Sequence, residues 1–399
     1  MTPRVLLAHS MLWPNIGRLA IAFRSAGFAV DAVAPAGHPI HRMRSPDRTF
    51  IYRPTSAYIS FQEAIDASRP ELLVPCDDRI VGHLHRLHKE ASAQSEGVDS
   101  LALAALIESS LGPPASYDVV AHRTFLASLA RLPDVHIPQT DPVETIQQLK
   151  NWARQHGLPA VLKLDGSSGG RDVILIREAS QIAPRFLRMR IQKSALRRVK
   201  AALFNGDVEP FFSPQRFSAA RVSVQSYVAG RLANCAIACW RGEVLASIAV
   251  EVTRSRSAFG LATAVRQVGG DAMVAAARSI ARHLQLSGLC GFDFVLDDDA
   301  KQAKLIEINP RPTQISHFPA CEGPDLPTAL FDSLSGETVG NSAKRAPHGE
   351  VALFPHWQRD PNSELLSTAF HDLPYEEPEL LRFFGYESEM IIKPGLSQG

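Results

Sequence analysis

Apolar and polar residues follow one another along this chain in two rhythms, and each change of rhythm marks an element. Val5-Leu6-Leu7-Ala8 is a short continuous apolar run, as a strand buried on both faces requires. Ile16, Leu19, Ala20 and Phe23 then recur at helical spacing until Gly27, a residue suited to the left-handed turn that ends a helix. Residues 30–33 read as a second strand, and a strand–helix–strand opening implies a parallel sheet. Ser60-Phe61-Gln62-Glu63 has the form of a capping box opening a helix that Pro70 stops, after which Leu72-Leu73-Val74 supplies another strand. Residues 1–112 thus read as a Rossmann-like α/β domain without the GxGxxG dinucleotide fingerprint. Its strands are expected to end at His9-Ser10 and at Cys76-Asp77-Asp78. Sheets of this kind hold ligands at that edge, so these residues are candidate substrate contacts.

Gly112-Pro113-Pro114 marks a junction. Beyond it, Pro159-Ala160-Val161-Leu162-Lys163-Leu164 reads as a buried strand that carries a lysine, and an ammonium there is costly to desolvate unless an anion meets it. The following Asp165-Gly166-Ser167-Ser168-Gly169-Gly170 is a loop whose small residues let backbone amides close around phosphate oxygens, and Val173-Ile174-Leu175-Ile176 resumes a strand. In Leu305-Ile306-Glu307-Ile308-Asn309, period two places Glu307, Asn309 and Arg311 on one face and Ile306 and Ile308 on the other. Phe292-Asp293-Phe294-Val295-Leu296 alternates as well, and Asp297-Asp298-Asp299 reads as the turn of a hairpin. If the hairpin folds symmetrically about residue 300, Asp293 faces Glu307. Two carboxylates opposed across a ladder repel unless something positive sits between them. Mg²⁺ takes one or two carboxylates and leaves its other positions to waters and phosphates, a need that Asp293, Glu307 and Asn309 meet. The alternative is an ordinary hairpin with a solvated acidic face.

At 399 residues and 45% hydrophobic content the chain has room for two or three domains with real cores. Its 42 basic and 41 acidic residues leave a net charge of +1, which gives no general attraction to nucleic acid or membrane, so a small partner is expected. Five cysteines, odd in number and without CxxC spacing, argue against a disulfide framework and against structural zinc; Cys235 and Cys239 are expected to pack within an apolar strand. No signal-peptide pattern precedes the first strand and no apolar run approaches membrane-spanning length, so a cytoplasmic location is expected. Residues 185–200 hold seven basic residues and no acid; interleaved with Phe186, Met189 and Leu196, they read as a solvated helix face rather than an anion-binding lid. His83, His85 and His88 read as exposed positions beside the apolar stripe of Ile80, Leu84 and Leu87. Residues 336–399 begin as a polar linker, pass through Val351-Ala352-Leu353-Phe354, and form a C-terminal extension.

Glu307-Ile308-Asn309-Pro310-Arg311 closing a strand, an acidic residue on the strand before it and a lysine ahead of a Gly/Ser loop together resemble the ATP-grasp enzymes of carboxylate–amine ligase type, such as biotin carboxylase, the carbamoyl phosphate synthetase large subunit and D-alanine:D-alanine ligase. The resemblance covers roughly residues 1–335. It implies an α/β and α+β architecture: a Rossmann-like N-terminal domain, then a two-lobed ATP-grasp fold at 113–335 with lobes of about 113–185 and 186–335. It also implies ATP with Mg²⁺, or Mn²⁺ as the alternative ion, held by Asp293, Glu307 and Asn309. Lys163, Arg123 and the loop residues Ser167, Ser168, Gly169 and Gly170 would then contact phosphates. In Val222-Ser223-Val224-Gln225-Ser226-Tyr227-Val228-Ala229-Gly230, which resembles the hinge between lobes, Gln225 would offer its side chain to adenine and Tyr227 and Val228 their backbone; Ser226 stands where relatives usually carry an acid. Arg311 resembles the arginine that grips the carboxylate or acylphosphate, Arg266 would add a second phosphate contact, and His317 is a further candidate. The activity implied is ATP-dependent ligation, in which a small carboxylate becomes an acylphosphate that an amine or other nucleophile attacks, forming a carbon–nitrogen bond. A homodimer is compatible with the resemblance. A phosphotransferase and a non-catalytic ATP-binding regulatory protein stay open as alternatives.

Overall fold

The computed structural model describes residues 2–93, 98–121, 123–164, 173–192, 221–297, 302–338, 349–359 and 367–386. Strands β1 (Arg4–Ala8), β2 (Ala29–Pro35), β3 (Arg48–Tyr52) and β4 (Leu72–Pro75) form a parallel sheet in the order β3-β2-β1-β4, with helices α1 (Asn15–Ser25), α2 (Ala57–Ser68), α3 (Asp78–Ala93) and α4 (Val98–Leu111) accompanying it. The chain runs outward from β1 to β3 and returns to β4, so a crevice opens at the carboxyl ends of β1 and β4. Asp77 joins the two strand ends: it accepts from the amide of Ser10 at 2.6 Å and from those of Arg79 and Ile80 at 2.9 and 3.0 Å, capping α3.

Two sequence expectations fail in this domain. Helix α2 begins at Ala57, and Ser60 lies inside it, donating its hydroxyl to the Ser56 carbonyl at 3.0 Å and accepting from the Arg53 amide at 3.0 Å. A serine four residues into a helix can bond back to the preceding turn, and here that bond replaces the capping box. The histidines of α3 are not an exposed row. His83 is buried, with its Nε2 3.3 Å from the Tyr52 hydroxyl and its ring among those of Tyr58 and Phe61, while His85 stacks on Tyr117 with ring centroids 3.7 Å apart. Helix α3 is covered on more than one side, by Tyr58 and Phe61 of α2 and by Tyr117 beyond α4, so its apolar stripe understated its buried surface.

After Gly112, α5 (Pro114–Ala121) and a 3₁₀ helix at Arg123–Arg131 lead to β5 (Thr140–Pro142), α6 (Ile146–His156), β6 (Ala160–Leu164), β7 (Val173–Ile176), α7 (Ile182–Gln192) and β8 (Val222–Ser226). These strands pair antiparallel in the order β5-β8-β6-β7 over a core that includes Trp152, Leu162, Ile174, Phe186 and Met189. The sequence grouped residues 186 onward with the second lobe. Hydrogen bonding instead inserts β8 between β5 and β6, and Phe186 and Met189 of α7 pack under this smaller sheet. Of the basic segment, residues 193–200 lie outside the described residues.

The connection 227–230 leads into the larger sheet, built from β9 (Arg231–Trp240), β10 (Glu243–Ser255), β11 (Ala262–Gln267), β12 (Gly288–Asp297), β13 (Gln302–Asn309), β14 (Glu350–Ala352) and β15 (Phe370–His371), in the order β13-β12-β9-β10-β11-β14-β15. The helices of this part are α8 (Asp271–Leu284), α9 (Leu326–Ser335) and α10 (Pro378–Phe383). Cys235, Ile237, Cys239, Phe292 and Phe294 of one sheet face pack on Met273, Ala277 and Ile280 of α8, so the two cysteines behave as small apolar residues. The other face, through Ala236, Ala238, Ile248 and Val250, shares one core with α9 and with α1, β1 and β2 of the N-terminal domain. Leu380, Leu381 and Tyr386 enter that same core, and β14 extends the sheet at β11, so these parts of the C-terminal extension are built into the body of the protein. Among the described residues no helix is long and apolar enough to cross a membrane.

Gly230, between the smaller and larger sheets, has φ +149°, and a Cβ there would lie 2.2 Å from the Leu296 carbonyl oxygen. Gly230→Ala is expected to destabilise the protein by about 2–3 kcal/mol, read as a lowered denaturation midpoint in urea. An unchanged midpoint would contradict this packing.

Candidate functional site

The β12–β13 hairpin sets the site. Asp293 pairs with Glu307, but the next pair is Phe294 with Leu305, so Ile306 has no partner across the ladder. This extra residue shifts the alternation. Leu305 and Ile308 face the core, whereas the sequence assigned that face to Ile306 and Ile308; Ile306 is only half-buried. The bulge has a direct consequence. Lys163 of β6, 6% exposed, donates its ammonium to the carbonyl of Ile306 at 3.1 Å and to Gln225 Oε1 at 2.7 Å. Gln225 Nε2 donates to Thr140 Oγ1 at 2.8 Å, and Thr140 donates to the Pro138 carbonyl at 2.8 Å. The buried cation is thus met by oxygen dipoles from both sheets, and the Gln225 amide is engaged with Lys163 and Thr140.

Asp293 Oδ1 accepts from Asn234 Nδ2 at 2.7 Å, Asp293 Oδ2 accepts from Asn309 Nδ2 at 3.0 Å, and Asn234 Oδ1 in turn accepts from Thr313 Oγ1 at 3.0 Å. Burial, and then the charge of Glu307, push the Asp293 pKa up to about 6 against the help of the two amides. A carboxylate that resists ionisation beside a second carboxylate favours a cation at that point. Asn309 directs its nitrogen to Asp293, which reserves its amide oxygen, the atom that ligates hard cations. Among the described residues no group of three or more His, Cys, Asp or Glu is arranged for a metal. A cation at this point would find two carboxylates and an amide oxygen, part of a coordination sphere.

Arg311 follows on the same side. Its Nε and Nη2 donate to the two oxygens of Asp78, at the start of α3, at 2.8 and 3.1 Å. Burial opposes the Arg311 charge, but Asp78, Glu307 and Asp77 outweigh it and hold the guanidinium pKa above its ordinary value. Asp77 itself is buried, which disfavours its charge; His9, whose Nδ1 is 3.0 Å away, and the amides of Ser10 and Ile80 nevertheless keep it well below the usual carboxylate range. The structure thereby brings Asp77, Asp78, His9 and Ser10 of the N-terminal crevice to the end of β13.

Other candidates fall elsewhere. Arg266 of β11 is exposed and stands opposite Glu251 of β10 and Glu350 of β14 in the ladders; this register puts it on the sheet face of Ala233 and Phe294, opposite the face of Asn234 and Asp293. Strand alternation keeps it away from the carboxylates. His317 Nε2 lies 2.9 Å from Asp372 Oδ2 and 3.2 Å from Arg18 Nε, in a cluster linking α1 to the C-terminal extension, and burial lowers its pKa. Arg123 opens the 3₁₀ helix after α5 rather than an α-helix, and its side chain lies outside the described residues, as do Ser167, Ser168, Gly169 and Gly170. Tyr227 and Val228, with Ser226 and Gln139, line a cavity of about 620 Å³ that is also lined by Asp297 and Lys304, an ion pair at 3.0 Å. Asp297 shares its strand face with Asp293, so the cavity and the carboxylates lie along one side of the hairpin.

Sequence reasoning missed Asn234, Thr140, Lys304 and the Arg311–Asp78 pair. Asn234 left a signal, a lone amide within the otherwise apolar Leu232-Ala233-Asn234-Cys235-Ala236-Ile237, whereas the others depend on partners roughly 85 to 233 residues away or on a bulge.

Residues 122–320 match the family described as carbamoyl-phosphate synthase L chain, ATP binding domain. Pyruvate carboxylase of Pichia angusta is 25% identical over 355 residues, covering 83% of this chain but only 28% of that protein's length. The chain is also similar to the biotin carboxylase domain of Hydrogenobacter thermophilus 2-oxoglutarate carboxylase, solved with MgADP, ADP and bicarbonate (TM-score 0.60, 12% identity, 88% of this chain and 73% of that one). It is similar too to N5-carboxyaminoimidazole synthase of Aspergillus clavatus, solved with ADP and 5-aminoimidazole ribonucleotide (TM-score 0.59, 12% identity, 86% and 80%). With a smaller antiparallel sheet and a larger one joined through 227–230, the chain has the ATP-grasp fold, and its residues 122–320 form an ATP-binding domain of the carbamoyl-phosphate synthase L-chain type.

Proposed function

We propose that this protein is an ATP-dependent ligase that activates a small-molecule carboxylate as an acylphosphate, with release of ADP and phosphate on attack by an amine or other nucleophile. The observation that carries the reading is the convergence of Lys163 from the smaller sheet with the Asp293, Glu307, Asn309 and Arg311 end of the larger one, joined at the Ile306 bulge. Phosphoryl transfer asks little covalent work of a protein; it asks for charge neutralised on the phosphates and reacting oxygens held in line. Lys163 supplies a compact cation that exchanges the dipoles of Gln225 and Ile306 for phosphate oxygens. Asp293, Glu307 and Asn309 fit Mg²⁺, or Mn²⁺, which when bound neutralises phosphate charge. Arg311 grips the carboxylate, where a planar donor pair suits two oxygens. The cavity at Tyr227 and Val228 takes the base against backbone groups, with Lys304 and Asp297 toward the sugar. Arg123 and the loop at Ser167, Ser168, Gly169 and Gly170 complete the phosphate contacts in this reading, and Arg266 drops out.

In this proposal residues 1–112 present the substrate crevice and the smaller lobe runs through β8 rather than ending near 185. Five free cysteines suit a compartment that keeps thiols reduced, and we place the protein in the cytoplasm. A homodimer is the assembly we favour, after the dimer named for the biotin carboxylase relative.

Lys163→Ala should weaken Mg-ATP binding by about tenfold or more in calorimetry, and Lys163→Arg should restore only part of it, because a planar guanidinium does not replace an ammonium in a tight contact. Unchanged affinity in the alanine variant excludes the role. Glu307→Gln and Asn309→Ala should each lower kcat/KM by at least roughly a hundredfold with the fold intact by circular dichroism; near-normal turnover in Glu307→Gln removes the metal assignment. For the reaction itself, hydroxylamine in place of the natural nucleophile should trap a hydroxamate with stoichiometric ADP and phosphate, and Arg311→Ala should suppress that product far more than it weakens ATP binding. Release of AMP and pyrophosphate, or a stable phosphorylated product, defeats the ligase reading.

A further inference from the structure

The mode of contact between Arg311 and Asp78 restricts what Arg311 can receive. Asp78 takes the Nε–Nη2 edge, leaving the Nη1–Nη2 edge as the remaining fork; among the described residues Nη1 has only a 3.4 Å contact with the Pro312 carbonyl. Asp78 is not committed to its helix as Asp77 is, and its side chain is 44% exposed, so the carboxylate opens onto the crevice. A substrate carboxylate on the free fork lies beside the Asp78 carboxylate on the same guanidinium. Asp77 is near enough to act on Arg311 as well, so, with Asp293 and Glu307 given to the metal, two carboxylates still face one guanidinium. An added anion is repelled there unless it brings its own cation. Ser10, at the neighbouring strand end, has a buried hydroxyl with no protein partner among the described residues, a second polar group in this crevice left for a ligand.

From this geometry we infer that the acyl substrate is a zwitterion, an amino acid whose carboxylate sits on the Nη1–Nη2 edge of Arg311 and whose ammonium is received by the exposed carboxylate of Asp78. The inference rests on the ligase reading above and makes Asp78 the residue that selects amino acids over plain carboxylic acids. No bond is made or broken at Asp78; it contributes charge complementarity alone.

The test uses the full chain with ATP, Mg²⁺ and hydroxylamine, and presents each proteinogenic amino acid alongside its N-acetylated and deaminated counterparts, reading ADP and hydroxamate. At least one amino acid should turn over with kcat/KM about tenfold or more above both counterparts, and Asp78→Asn should collapse that ratio by about tenfold. Mg-ATP calorimetry on Asp78→Asn, expected within about twofold of wild type, confirms a folded nucleotide site. Hydroxamate formed only from acids lacking a free amine overturns the inference and leaves the ligase reading standing. An equal loss for amino acid and deaminated acid in Asp78→Asn also overturns it, showing that Asp78 only orients Arg311. Absence of ADP release with every amino acid overturns it too; hydrolysis to AMP and pyrophosphate with any of them removes the ligase reading as well.

Discussion

A lysine ammonium buried in an apolar strand is the constraint to which the rest of this structure answers. Lys163 is 6% exposed, and a charge so far from water must be met by oxygens or be forced neutral. One such oxygen, on Gln225, comes from the adjacent strand of its own sheet; another, the Ile306 carbonyl, comes from a different sheet 143 residues away in sequence. At this point β13 carries one residue more than β12, which leaves Ile306 without a partner in the ladder. An irregularity costly to one sheet thus links two.

The same bulge divides labour along β13. On its core side Leu305 and Ile308 anchor the strand against Phe292 and Phe294. On its other side Glu307 meets Asp293, which two asparagines hold by hydrogen bonds. Burial and the charge of Glu307 raise the Asp293 pKa and the amides only partly offset them, so a cation at this pair would relieve both carboxylates. The large sheet can bear such polar groups because its opposite face is packed on α8, while the remaining strands share a core with the N-terminal domain. Rigid support under a polar surface is what a phosphoryl-transfer site requires, since misplacement of its charges forfeits much of their effect.

The C-terminal residues contribute to that rigidity. Asp372 bridges Arg18 of α1 and His317 of the loop after β13, and Leu380, Leu381 and Tyr386 pack into the common core. Through these contacts and through Arg311 and Asp78, the segment following Asn309 is held by the N-terminal domain at two separate places.

Local pattern was enough to determine much of this protein. Strand alternation in residues 292–309, with a hairpin taken as symmetric about residue 300, put Asp293 across from Glu307, apolar runs marked β1, β4 and β6, and the burial of a lone lysine in β6 called for a partner. Such features repeat at period two or 3.6 and depend on neighbours a few residues away. Where partners lie far apart in sequence, only the tertiary structure decided. It moved β8 into the smaller sheet, buried His83, set Arg266 on the opposite face from the carboxylates, and paired Arg311 with Asp78. A single extra residue in β13 also took Ile306 off the core face and put Leu305 there beside Ile308, because a register shift of one moves a side chain across the sheet, and sequence periodicity carries no record of where a ladder skips.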